Sequence, residues 1–126
     1  MQSDSSRIQV EVTARFQRDI KTLAKRYRRI KSDVQPLIKQ LQNGELPGAK
    51  LANVELEIFK ARVKNSDNQK GKSAGYRVIY YVKLSETIVL VTLYSKSDQA
   101  DISVAQIQEI IAEFEQRRAI DYGNES

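Results

Sequence analysis

The nine residues T-I-V-L-V-T-L-Y-S beginning at Thr87 are apolar at both alternating parities. A strand with one polar face can sit at the margin of a fold. A strand apolar on both faces has to be central in a sheet. Two more strand candidates precede it, Val54 to Lys64 and Gly75 to Lys83, and the connections between the three are short enough to imply an antiparallel meander. A chain of 126 residues is long enough for one hydrophobic core and too short for two ordinary domains, so residues 1–126 are expected to form a single domain.

The N-terminal part supplies helices. Ile8, Val10 and Val12 alternate with Gln9 and Glu11 as a short strand, and Thr13 can then cap a helix. Phe16, Ile20, Leu23, Tyr27 and Ile30 recur every three or four residues and predict an amphipathic helix over 14–30. Ser32 or Asp33 caps a second helix with Val34, Leu37, Ile38 and Leu41 inward, Pro36 in its first turn and Gly44 as its stop. Gly44, Pro47 and Gly48 punctuate a loop over 44–52, and the Lys-rich segment Asn65 to Ala74 reads as a mobile hairpin loop. Ser103 opens a last helix striped with Val104, Ile107, Ile110, Ile111 and Phe114. The order is β-α-α-β-β-β-α, an α+β fold in which an antiparallel sheet carries an N-terminal helical hairpin and a C-terminal helix.

Charge is unevenly distributed on this frame. Residues 59–83 hold seven Lys and Arg against Asp67, residues 14–31 hold eight against Asp19, and residues 98–126 hold seven acids against Arg117 and Arg118, within a net charge of +5. In the second strand Lys60, Arg62 and Lys64 share the parity of Val54, Leu56 and Ile58, so that face turns from apolar to cationic halfway along. Such a switch implies that the strand's C-terminal half is covered on one side only. If Leu84 faces Thr87, Arg77 falls opposite Tyr94 with Lys96 at the strand exit. If Lys64 pairs near Gly75, Arg62 falls opposite Arg77. An isolated Lys50 or Lys83 needs no role beyond keeping a surface soluble. Arg62 and Arg77 are different, because like charges directly across strands cost stability and call for an anionic ligand. The outward cations of the first helix, Arg18, Lys21, Lys25 and Arg28, with Lys64, Lys70 and Lys72, form an RNA-facing surface or a solvated one. Tyr27 belongs to the core, Tyr80 and Tyr81 to sheet packing, and Tyr94 stands beside two cations.

Cysteine and histidine are both absent. This excludes disulfides, thiolate chemistry, the usual general base and the commonest transition-metal ligands. Asp67, Asp98 and Asp101 are too scattered to hold Mg²⁺, so neither metal nor cofactor is expected. The N-terminus M-Q-S-D-S-S-R lacks the apolar run of a signal peptide and no stretch is long enough to span a bilayer, which together read as a cytoplasmic protein.

The A-R-V strand, the block G-K-S-A-G-Y-R-V-I-Y-Y and the exit Y-S-K-S-D-Q-A-D-I-S resemble the RelE/ParE toxin superfamily, most closely its RelE and HigB-like branches, over about Val10 to Phe114. The resemblance implies a type II toxin: a ribosome-dependent mRNA endoribonuclease that blocks translation, with the ribosome and mRNA as targets and an antitoxin as partner. Carried over by position, the family's basic catalytic residues fall on Lys60, Arg62 and Arg77, with a basic residue at the exit on Lys96. The tyrosine that RelE itself carries early in its last helical segment aligns near Ser103, so its role is vacant or has passed to Tyr94. The chemistry is consistent with metal-free attack by the RNA 2'-hydroxyl. Arg62 and Arg77 would meet phosphorane charge, and Lys60 would act as base, with Tyr94 and Lys96 as alternatives or as acid. The rival readings are a ParE-like inhibitor of DNA gyrase and an RNA-binding member without catalysis.

Overall fold

A computed structural model describes residues 8–67, 75–84 and 86–125, with side chains through residue 119. In chain order the elements are β1 (Gln9–Val12), α1 (Ala14–Ala24), α2 (Ile30–Gln42), β2 (Ala49–Lys50), β3 (Glu57–Val63), β4 (Tyr76–Lys83), β5 (Thr87–Ser95) and α3 (Val104–Glu125). The strands form one sheet in the order β1-β5-β4-β3-β2. The meander β3-β4-β5 is antiparallel as expected. The sheet as a whole is mixed, because β1 runs parallel to β5 with Val12 beside Leu90. The two strands are about 80 residues apart in the chain, and no turn ties their directions together. The predicted loop over 44–52 also contains β2, which pairs with β3 through Ala49 and Lys50.

Alternation decides which helix goes where. Phe59, Ala61 and Val63 of β3, with Tyr76, Val78 and Tyr80 of β4, point to one face and are buried under α1 and α2 by Phe16, Ile30, Val34, Leu37 and Leu41. Ile58, Ile79, Tyr81, Val89 and Val91 point to the other face and meet Ile107, Ile110 and Ile111 of α3. The result is a three-layer fold, helices on both sides of the sheet. Ser103 starts α3 with a capping box: its Oγ accepts from the Gln106 amide at 3.1 Å, and its own amide donates to Gln106 Oε1 at 3.2 Å.

The helical hairpin departs from the expected boundaries. Phe16, Ile20 and Leu23 belong to α1, but the helix ends at Ala24 and Ile30 begins α2. Tyr27 lies in the turn, half-buried, with its ring edge-on to Tyr76 at 5.9 Å. The residue before α2 is Arg29, with no side-chain cap. Ser32 Oγ donates back to the Arg29 carbonyl, and Asp33 is occupied elsewhere. Pro36 therefore lies inside α2 rather than in its first turn. Burial of Ile30, with no exposed surface, outweighs the capping signal that pointed further downstream.

Thr13 does cap α1, accepting from the Phe16 amide at 2.9 Å, and its hydroxyl also donates to the Val91 carbonyl at 2.6 Å. Beyond Val12 the edge of β5 no longer has a strand neighbour in β1. Thr13 and Asp19 take over there, Asp19 accepting from the Thr92 hydroxyl and the Leu93 amide. The cap and the middle of α1 thus close a sheet edge that would otherwise be open.

Candidate functional site

The apolar-to-cationic switch in β3 coincides with the margin of α3. Ile58 is fully buried beneath that helix, Lys60 is half-buried and Arg62 is exposed, all on the same face. The observed register places Arg62 opposite Arg77 and Arg77 opposite Tyr94, so three adjacent strands each contribute one polar side chain to a single row. Lys96 is at the exit of β5, its amide bonded to the Gly75 carbonyl at 2.9 Å.

Two glycines hold this region together. Gly75 opens β4 so close to β3 that a Cβ there would stand 2.2 Å from the Val63 carbonyl oxygen, which explains the glycine of the G-Y-R motif. Gly48, at φ +97°, passes over β3 with a Cβ position 2.3 Å from the Lys60 carbonyl oxygen. Since β2 pairs only with Phe59 and Lys60, β3 has no described strand neighbour on that side from Ala61 onward. A groove of about 880 Å³ opens there between α2 and the loop before β2, and Lys60, Arg62, Lys64, Arg77 and Lys96 all line it. Asp33 is the only acid in that lining among the described residues, and it is held by the Ser66 amide and hydroxyl at 2.9 and 3.1 Å.

The side chains in the row differ in burial. Arg77 is 7% exposed and Tyr94 is 5% exposed, so a charged guanidinium lies almost out of solvent with a phenol beside it. Arg77 Nη1 donates to the Tyr76 carbonyl at 3.3 Å. Burial first, and then the Asp101 carboxylate, push the Tyr94 hydroxyl up to about 12. Lys60 Nζ donates to Asp101 Oδ1 at 2.7 Å, and the Tyr94 hydroxyl reaches the same oxygen at 3.3 Å. The Lys60 hydrogen bond first, and then the Ile102 amide, hold the Asp101 carboxyl below its ordinary range. Lys96 Nζ donates to the Ala100 carbonyl at 2.6 Å.

Asp101 is the residue that sequence reasoning passed over as a scattered acid. A signal was available in its position, one short loop beyond Lys96 and two residues before the Ser103 cap, where any acid falls within reach of the cationic strand ends.

The remaining candidates lie apart from the row. Arg18 and Lys21 are exposed on α1, while Lys25 and Arg28 are exposed in the turn that follows it. Lys70 and Lys72 lie outside the described residues, as does most of the loop read as mobile. Its first part, Asn65 to Asp67, is anchored: Asp33 holds Ser66, and Asp67 Oδ2 accepts from the Arg29 amide at 2.9 Å. Lys50 is exposed on the short strand β2, and Lys83 pairs with Glu115 at 2.8 Å, both consistent with surface duty. Tyr80 stacks on Phe59 at 5.2 Å and Tyr81 is buried against α3, so both pack the sheet.

A family model described as the RelE toxin of the RelE/RelB toxin-antitoxin system matches residues 13–117, from the cap of α1 to within α3. The chain belongs to the RelE family. No curated protein matches it. As a RelE-family chain it is the toxin half of a type II pair, with a cognate antitoxin as its partner. No helix among its described residues is long and apolar enough to cross a membrane.

Proposed function

We propose that this RelE-family toxin is a metal-independent endoribonuclease that cuts mRNA on the ribosome and so stops translation. The observation that carries this reading is the shared groove: five cations on β3 and β4 or just past the ends of β3 and β5 line it, with two arginines paired across β3 and β4. Like charges so placed destabilise the apo-protein unless an anion lies between them, and a phosphodiester is the anion that planar guanidinium groups bind in two-point fashion.

In the reaction the 2'-hydroxyl oxygen attacks the adjacent phosphorus, and the bond from phosphorus to the 5'-oxygen breaks. A 2',3'-cyclic phosphate and a 5'-hydroxyl result. Arg62 and Arg77 stabilise the charge that builds on the phosphorane oxygens. Tyr94, holding its proton at neutral pH, donates it to the departing 5'-oxygen. Lys60 receives the 2'-hydroxyl proton, for which it must leave Asp101 and stand as the free amine. Lys96, at the end of the row, contacts a flanking phosphate. The exposed cations of α1 and the following turn bind ribosomal RNA electrostatically, without entering the chemistry.

Primer extension on mRNA from cells expressing the toxin should show cuts at codon-spaced positions, while purified RNA without ribosomes remains nearly intact. Intact cellular mRNA together with inhibited DNA gyrase would instead establish the ParE-like activity. Normal translation, with RNA bound but uncut, would mark a member that has lost catalysis.

A further inference from the structure

We infer that the centre of the basic face is a preformed phosphate-oxygen site, and that Asp101 occupies it as the chain's own stand-in anion, to be expelled when a phosphodiester binds. The inference rests on the reading above that this face handles phosphate, and it names what a phosphate must displace. Lys60 is on β3 and Tyr94 on β5, with β4 between them and a two-residue stagger along the strands, so their backbones are roughly 12 Å apart. Their polar tips nevertheless converge on one atom, Asp101 Oδ1, at 2.7 and 3.3 Å. Since Lys60 pairs with Ile79 and Tyr94 with Arg77, the line between them crosses β4 beside Arg77. An anionic oxygen is therefore held over the middle strand, in the row of cations, by donors from both flanking strands.

Asp101 itself does not belong to the sheet. It lies in the irregular segment between β5 and α3, and its side chain is 64% exposed. Its other ties are local, with Oδ1 accepting from the Ile102 amide at 2.8 Å and its carbonyl from Gln99 Nε2 at 3.0 Å. A solvent-facing carboxylate on a loop can swing away at small cost. The donors it leaves behind, Lys60 and Tyr94, are carried by strands and keep converging on the vacated position. A phosphate oxygen that takes both donors must stand where Asp101 Oδ1 now stands, since that is the point on which Lys60 Nζ and the Tyr94 hydroxyl converge. Phosphate binding and the Lys60–Asp101 pair are thus mutually exclusive.

The test uses inorganic phosphate as the probe and the purified toxin, without ribosomes. Asp101→Asn keeps the side-chain shape and removes the charge, and should bind phosphate about tenfold more tightly, the order expected when a competing charge-assisted hydrogen bond is lost. Asp98→Asn makes the same change of net charge in the same segment, on a carboxylate paired with Arg26, and should shift phosphate affinity by less than about twofold, as expected of a screened surface charge. In the parent protein, the Ile102 amide loses its acceptor as Asp101 departs, so its proton resonance should move upfield along the phosphate titration. Equal affinities in Asp101→Asn and the parent would overturn the inference, as would weaker binding by Asp101→Asn. So would an equal gain in Asp98→Asn, or saturation by phosphate with the Ile102 amide unmoved. Competition by Asp101 in a protein that leaves ribosomal mRNA uncut would retain this site and refute the nuclease reading instead.

Discussion

One face of this sheet does two different things along its length. Beneath α3, Ile58, Ile79, Tyr81, Val89 and Val91 are sealed by Ile107, Ile110 and Ile111. Past the margin of that helix β3 and β4, at the same parity, carry Lys60, Arg62 and Arg77 to an open groove, and the register shift in β5 brings the buried Tyr94 in beside Arg77. The covered half provides the apolar burial that stabilises the fold. The open half works against stability by setting cations across from one another, a configuration that persists only because the covered half and the hairpin face are so well buried. Stability and chemistry should therefore separate along a single strand, and substitutions on either side of the margin should fail in different ways.

The largest expected effect is in the covered half. Ile107→Ala removes a side chain that is 1% exposed and should cost about 2–5 kcal/mol in denaturant unfolding, the range for such truncations. Its affinity for phosphate, measured on folded protein, should remain at the parent value. A large loss of affinity with little loss of stability would show that α3 shapes the groove directly and would blur the boundary between the halves.

Next comes Arg77→Ala. Single-turnover cleavage on saturated ribosomes should fall by roughly 10²-fold or more, as for loss of a donor to the transition state, with ribosome affinity nearly unchanged. Replacing Arg18 and Lys21 on α1 should do the reverse, lowering the salt dependence of ribosome binding by about two units of slope while cleavage at saturation holds. Parent-level cleavage by Arg77→Ala would move the chemistry away from this row.

How much of this could be read from the sequence depends on the range of each interaction. Alternation in β3 is local, and it correctly gave the switch from Ile58 to Lys60 and Arg62. The pairing of Arg77 with Tyr94 was also legible, although by a route the molecule does not follow. The hairpin pairs Lys83 with Thr87, one residue out of step with the two-residue turn that was assumed, and an irregularity between Ile79 and Tyr80 restores the step. Leu84, at φ +58°, takes up the extra turn residue. The break between α1 and α2 was hidden because Tyr27 and Ile30 continue the apolar spacing through the turn, with no glycine or proline to mark it. The direction of β1 was not legible at all, and of Asp101 only its nearness to the cationic strand ends was, not its pairing with Lys60. Both depend on contacts between residues far apart in the chain, Lys60 with Asp101 and Val12 with Leu90, for which local pattern carries no information.

Alkali gives a smaller, graded test of the comparison. Burial first raises Tyr76 and Tyr80, which face the hairpin, and also Tyr81 beneath α3 and Tyr94 at the open margin. A raised folded-state value means that the stabilisation is fully present below the unfolded value, ~10, and is lost as pH rises through the folded values. Thermal midpoints should hold to about pH 10 and decline above it. In the ultraviolet absorbance of phenolate, the share of these four of the six tyrosines should appear together with unfolding. Tyr94→Phe should soften the decline between about pH 10 and pH 12, the interval from the ordinary value to the one to which Tyr94 is pushed, and leave the steeper part above it unchanged. Phenolate from more than two of the six tyrosines near pH 10 in fully folded protein would contradict the burial of these four rings.

The smallest effect has the opposite sign. Arg62 is exposed, and its strand partner is Arg77; among the described residues it forms no ion pair. Replacing it with Gln keeps the length and a hydrogen-bonding end while removing one of two opposed charges. Relief of that repulsion is worth a few tenths of a kcal/mol, in the lower part of the range for cross-strand pairs because solvent screens the exposed partner. Arg62→Gln should therefore unfold at an equal or slightly higher denaturant midpoint than the parent, with an unchanged slope. The gain should shrink as salt is raised, since salt screens the repulsion in the parent as well. The same variant should bind phosphate more weakly and cleave more slowly, so a gain in stability would accompany a loss of function in one side chain. A clear loss of stability in Arg62→Gln would mean that Arg62 helps to build the fold, and the open half would then be as structural as the half beneath α3.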